Sequence, residues 1–170
     1  MVRLEEDLHK ETFLAIPPVR VPYYEPKHPL FGKEVDDNFP STAFDIAEAG
    51  KCYALYRSTA CVFHLMRALE IALRAFADRF GVESDRKNWH NIIEGIESKI
   101  RVMDKDPNRP VDWKDQQEFY SGAATHFMFI KAAWRNYVAH GRDKSTEEES
   151  EKIFGNVREF MRTLATRLRE

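Results

Sequence analysis

Beyond residue 41, apolar side chains recur every three or four positions, and no stretch alternates apolar and polar residues over the length of a strand. That period predicts helices throughout. Ser41 is a suitable N-cap for the first, in which Ile46, Ala49, Tyr53 and Tyr56 form a stripe with Phe44, Cys52 and Leu55 beside it. Gly50 interrupts this helix, and a break is expected near Arg57-Ser58. From Thr59 to Phe80 two apolar sets run side by side: Val62, Met66, Leu69, Leu73, Phe76 and Phe80, then Cys61, Leu65, Ala68 and Ala72. A helix apolar over so much of its circumference belongs in the centre of a fold. Its remaining stripe, Arg67, Glu70, Arg74 and Asp78, has the spacing of ion pairs, and Gly81 ends it.

Asn88 is placed to cap the next helix, which runs to about Val102 with Trp89, Ile92, Ile93, Ile96 and Ile100 inward. After a turn-rich link over 104–110 comes the longest helix, Trp113 to Ala139, about 40 Å at 1.5 Å per residue. Phe119, Ala123, Phe127, Ile130, Trp134 and Tyr137 are its core stripe, and His140-Gly141 closes it. Ser145-Thr146-Glu147-Glu148 reads as a capping box, with Glu147 to Glu149 favoured by the dipole of the helix they start. Ile153, Phe154, Val157, Met161, Leu164 and Leu168 face inward in that last helix. The expected fold is therefore all-α, an antiparallel bundle of four or five helices over residues 41–170.

The first 40 residues differ. Six of the chain's eight prolines fall between Pro17 and Pro40. Each removes a backbone donor and biases its predecessor to extended geometry, so an irregular arm is expected, with Val21, Tyr23, Tyr24, Leu30 and Phe31 packing on the bundle. Leu4 and Leu8 hint at a short helix before it. Acids at positions 5–7 stand where a signal peptide needs an apolar core, and no run approaches the roughly 20 apolar residues of a membrane span. A cytoplasmic protein without membrane contact is expected, with Cys52 and Cys61 as reduced thiols. The 170 residues suffice for one core, and a net charge of −2 confines any nucleic-acid contact to a local patch.

Chemistry concentrates at the end of the long helix, in Lys131-Ala-Ala-Trp-Arg135-Asn136-Tyr-Val-Ala-His140-Gly-Arg142. An always-charged arginine can clamp phosphate oxygens, and a histidine can act as acid or base near neutral pH. Lys131 and Arg142 would add attraction for a phosphate backbone. Asn136 and His140 are four apart and share a helix face, but Arg135 points about 140° from His140 on a regular helix. Two copies meeting at a two-fold axis would bring the pair together, as would local unwinding. The fitting reaction is metal-free RNA cleavage, in which the ribose 2′-OH attacks its own phosphate. Arg67 and Glu70 are candidates to orient Arg135 or His140, or else form a structural ion pair.

The segment Trp134-Arg135-Asn136-Tyr137-Val138-Ala139-His140 at the end of a penultimate long helix resembles the HEPN domain superfamily, as does Val62-Phe63-His64-Leu65-Met66-Arg67-Ala68-Leu69-Glu70. The resemblance spans roughly residues 41–168 and rests on a short signature, arginine and then a polar residue with histidine a few positions on. It implies a dimerising helical bundle with a composite, metal-independent ribonuclease site, Arg135 and His140 catalytic and Asn136 supporting. It also implies products with 2′,3′-cyclic phosphate and 5′-hydroxyl ends. Many relatives belong to toxin–antitoxin, phage-defence or stress systems, where an antitoxin or regulatory protein is the partner. Others have lost catalysis and only bind. Where relatives paired with a nucleotidyltransferase antitoxin carry a tyrosine two residues after the histidine, this chain has Arg142, so that pairing is not implied.

Bland readings set the scale. Arg135 and His140 could merely cap the helix end. His64 and His126 read as packed histidines, His90 sits at a helix start, and Phe119, Phe127, Trp134 and Tyr137 read as core. No three histidines have metal-ligand spacing and no glycine-rich phosphate loop exists, so neither a metal nor another cofactor is expected. The expectation is a homodimeric endoribonuclease acting on RNA. The alternatives are a non-catalytic module binding a nucleotide or protein partner, and a structural dimerisation domain.

Overall fold

The computed structural model describes residues 13–85, 87–139 and 144–170, and of residues 134–139 the backbone alone. The described residues form helices and no strands: α1 (Val21–Tyr24), α2 (Lys33–Asn38), a 3₁₀ turn (Pro40–Thr42), α3 (Ala43–Ala54), α4 (Ser58–Arg79), α5 (Trp89–Asp104), α6 (Trp113–Ala139) and α7 (Glu147–Ala165). The chain is all-α. The hint of a helix at Leu4 and Leu8 lies outside the described residues.

α4 is central, packed against α3, α5 and α7. Both apolar sets read from its sequence are buried, and its small residues Ala68, Ala72, Ala75 and Ala77 allow neighbouring backbones to approach closely. Across it, Phe76 stacks on Tyr120 and Phe127 of α6 at 5.8 and 6.3 Å between ring centroids, and Phe127 meets Phe160 of α7 edge-on at 4.9 Å. Tyr120 and Ala124 are core residues that the predicted α6 stripe omitted, while Phe119 and Ile130 are half-buried.

Local signals set most helix ends. The side chain of Asn88 accepts from the Asn91 amide, as its position implied. Gly81, at φ 59°, follows α4 in a Schellman motif: Val82 N–H donates to the Ala77 carbonyl and Gly81 N–H to that of Asp78. Two caps differ from the expectation. Ser41 lies in the 3₁₀ turn, and α3 opens after Thr42 with no side-chain cap, because Thr42 Oγ1 donates back to the Phe39 carbonyl instead. The capping box of α7 sits one residue later than read: Thr146 Oγ1 accepts from Glu149 N–H, and Thr146 N–H donates to the Glu149 carboxylate.

The described part of the arm is seated on the bundle. Tyr23 meets Tyr53 and Phe154 edge-on at 4.8 and 5.5 Å, and Phe31, Val35 and Phe39 are buried in the common core. Val21, expected to pack, is exposed. Arg20 is 7% exposed, with its guanidinium between the rings of Tyr53 and Tyr56 at 4.4 and 4.0 Å. It donates to the Tyr53 carbonyl and pairs with Glu147, which ties the arm to α3 and the start of α7. Gly50 is no flaw in α3: an added Cβ would come 2.6 Å from the Tyr23 carbonyl oxygen, so glycine is what lets the arm lie this close. No described helix is long and apolar enough to cross a membrane.

Candidate functional site

α6 runs unbroken to Ala139, so Arg135 and Asn136 stand in its last turns and His140 is the next residue. The side chains of Arg135 and Asn136, and all of His140 and Arg142, lie outside the described residues. Lys131, about two turns before the helix end, is half-buried. The chain is described again from Lys144, where it is fastened to the start of α4: Ser145 N–H donates to Thr59 Oγ1 at 3.2 Å, and Ser150 Oγ donates to Ser58 Oγ at 3.2 Å. The segment that follows the arginine–histidine motif therefore returns to the first turn of α4.

A groove opens there between the α3–α4 turn and the loop into α7. Its walls include Tyr56, Arg57, Thr59, Phe63, Lys144 and Ser145. Its shape depends on Tyr56, which adopts φ 58° although it is not glycine. α3 ends in a Schellman motif, with Arg57 N–H donating to the Cys52 carbonyl and Tyr56 N–H to that of Tyr53. The left-handed position costs a non-glycine residue about 1–2 kcal/mol. Stacking of the Arg20 guanidinium on the Tyr56 ring opposes that cost.

Next to the groove, α3 and α4 share a polar cluster. Asp45 is 2% exposed, a carboxylate that has lost its water. It accepts from Arg67 Nε at 2.9 and 3.1 Å and from His64 Nδ1 at 2.7 Å. A carboxylate can only accept, so opposite Asp45 the His64 Nδ1 is the donor and, in the corresponding neutral tautomer, Nε2 is the acceptor nitrogen. Phe44 and Phe63 flank the imidazole edge-on at 6.2 and 5.6 Å, and the Arg67 guanidinium lies 6.0 Å from the Phe63 ring centroid. Both phenylalanines are exposed, Phe44 contrary to its expected place in the apolar set of α3.

Arg67 and Glu70 are not partners of each other. Arg67 belongs to Asp45, whereas Glu70 accepts from Arg74 Nη2 at 2.9 Å, and Arg74 also approaches Asp85 at 3.7 Å. Pairs as exposed as these last contribute under about 1 kcal/mol each. Sequence reasoning gave Asp45 no role, read His64 as a packed histidine, and quoted Phe63 only within the family-like segment of α4. The available signal was His64 and Arg67 three apart on one face of α4, with an aromatic residue where the apolar pattern asked for none.

His126, expected to be packed, is exposed, but its ring stacks on Phe160 at 4.0 Å with ring planes 9° apart, and the partial desolvation there lowers its pKa from the ordinary histidine value. His90 lies 3.2 Å from Glu94, one turn along α5. Burial raises the Cys61 thiol to about 12 and also raises that of Cys52, and both cysteines are free. Among the described residues no three His, Cys, Asp or Glu side chains are grouped to hold a metal. No protein-family model, curated protein or solved structure matches the chain significantly.

Proposed function

We propose that this protein is a metal-independent endoribonuclease that cuts RNA by attack of the ribose 2′-OH, at a site shared by two copies of the α6 C-terminus. The observation that carries the reading is that α6 ends at Ala139 with Arg135 and Asn136 in its last turns, and that the chain, where it is described again from Lys144, lies at the cation-bearing groove of α4. One His140 imidazole takes the 2′-OH proton as O2′ bonds to phosphorus. The P–O5′ bond then breaks, and the imidazolium of the second copy protonates O5′. Arg135 stabilises the phosphorane charge, Asn136 positions the imidazole or a phosphate oxygen, and Lys131 and Arg142 hold the backbone. A dimer is part of the proposal because, on a regular helix, positions 135 and 140 would diverge by about 140°, and a second copy would supply the missing partner. A cytoplasmic toxin or phage-defence setting, with an antitoxin or regulatory protein as counterpart, belongs to the same proposal.

The exposed Phe44 and Phe63 beside His64 favour a second reading, a module that binds a nucleotide or protein without cutting. One experiment separates the two. The pure full-length chain is incubated with a mixed RNA pool in EDTA, beside Arg135→Ala and His140→Ala. The expected result is cyclic-phosphate ends, with the rate lowered about 10²–10⁴-fold in the histidine variant and dimerisation retained. An inert parent, or variants that cut as fast as the parent, would sink the ribonuclease reading.

A further inference from the structure

We propose that the groove between the α3–α4 turn and the loop into α7 is a binding subsite for single-stranded RNA, its bases stacking on Phe63 and Tyr56 and its phosphates held by Arg57 and Lys144. The inference rests on the ribonuclease reading for its choice of RNA.

Four features converge. Tyr56 and Phe63 are each 51% exposed in the walls of this groove. Arg57 and Lys144 are exposed and form no ion pair among the described residues. The acids at the start of α7 do not neutralise them: Glu147 is held by Arg20, Glu148 by Lys152, and Glu149 closes the capping box. Finally, α4 starts at the groove floor with Arg57 as an N-cap that makes no side-chain cap bond, so the positive end of a 22-residue helix adds to the two cations.

Half-exposed aromatic rings, Tyr56 with one face already taken by Arg20, beside cations without ion pairs among the described residues match a single strand, whose bases have free faces and whose backbone tracks the charge. A duplex offers its phosphates but keeps its base faces stacked internally, so it cannot use Phe63 and Tyr56. Phe63 also joins the groove to His64, Arg67 and Phe44, extending the stacking surface along α4. At 1.5 Å per residue, Arg57 and Arg67 are about 15 Å apart along the helix, room for more than one nucleotide.

The test is binding of a labelled single-stranded 2′-deoxy oligouridylate, which lacks the attacking hydroxyl, to the full-length chain by fluorescence anisotropy. A blunt RNA duplex and an acidic peptide are the competitors. Phe63→Ala should weaken binding about 10-fold or more while Phe63→Trp retains it. The double variant Arg57→Gln/Lys144→Gln should flatten the slope of log K against log salt by about 1.4, two phosphates at about 0.7 each. Phe129→Ala, an exposed aromatic of the α6–α7 groove, should bind like the parent. Parent-like binding by Phe63→Ala and the double variant overturns the subsite, as does displacement by duplex or acidic peptide as effective as by the single strand. If those variants leave binding intact while the parent still cuts RNA, the subsite alone falls. If the parent is inert but the variants lose binding, the ribonuclease reading falls and the subsite stands.

Discussion

Replacing Gly50 by alanine sets helix propensity against the seating of the arm. In an isolated helix the change is favourable by about 1 kcal/mol, since alanine restricts the unfolded chain and glycine does not. In this protein the new Cβ would stand 2.6 Å from the Tyr23 carbonyl oxygen and 2.5 Å from Leu30 Cδ1. The leucine methyl can rotate away, but the carbonyl is backbone, held in α1 by the edge-on packing of Tyr23 on Tyr53 and Phe154. Relieving the clash means moving the arm, and overpacking of this kind costs about 1–3 kcal/mol. Gly50→Ala should therefore destabilise by up to about 2 kcal/mol net. Gly122, within α6, is the matched control, because an added Cβ there meets nothing within 4 Å. Gly122→Ala should stabilise by about 0.5–1 kcal/mol. At about 2–4 °C per kcal/mol for a chain of this size, the two melting temperatures should move in opposite directions by several degrees in total. Thermal unfolding measures the signs, and limited chymotrypsin digestion should find Tyr23 and Tyr24 more accessible in the Gly50 variant. If Gly50→Ala stabilises as much as Gly122→Ala, the arm is not seated on α3 through this contact.

Two further predictions concern titrating groups. Cys61, with no exposure and a thiol raised to about 12, should resist iodoacetamide near neutral pH while half-buried Cys52 reacts; mass spectrometry with and without urea checks the order, and early Cys61 labelling would contradict its burial. His126 has a folded pKa below the ordinary value of 6.5, so as pH falls through that value the unfolded chain takes up its proton first. Its contribution to stability is complete above 6.5 and declines as pH drops toward the lower folded pKa. NMR titration of the His126 ring should show the depressed midpoint, and a midpoint at or above the ordinary value would contradict its partial desolvation beside Phe160.

Much of the fold was legible because helices are specified locally. α6 was read as Trp113–Ala139 and is found there, the Asn88 cap holds, and the all-round apolar pattern of α4 did mark the central helix. Periodicity and caps involve residues three or four apart, and such contacts are inherent in the sequence. Choices between equivalent local signals were settled by distant partners. Both Ser145…Glu148 and Thr146…Glu149 have the spacing of a capping box, and the second is used while Thr59 of α4 accepts from the Ser145 amide. Ser41 lost its cap role to a 3₁₀ turn, and Gly50 proved to be a docking point instead of a weak spot. The polar cluster is of the same kind. Asp45 lies 19 residues from His64 and 22 from Arg67, so no helical spacing could announce their union. Whether Phe63 is core or surface likewise depends on what packs against that face of α4, and among the described residues it stays half exposed. The sequence by itself determined the helices beyond residue 41, the Asn88 cap and the arginine–histidine motif toward the end of α6. Only the tertiary structure decided that Asp45 should be buried against His64 and Arg67, and that aromatic and cationic groups should share a groove where the motif's loop returns. Long-range pairing depends on how faces meet, and a helical period records only that each face exists.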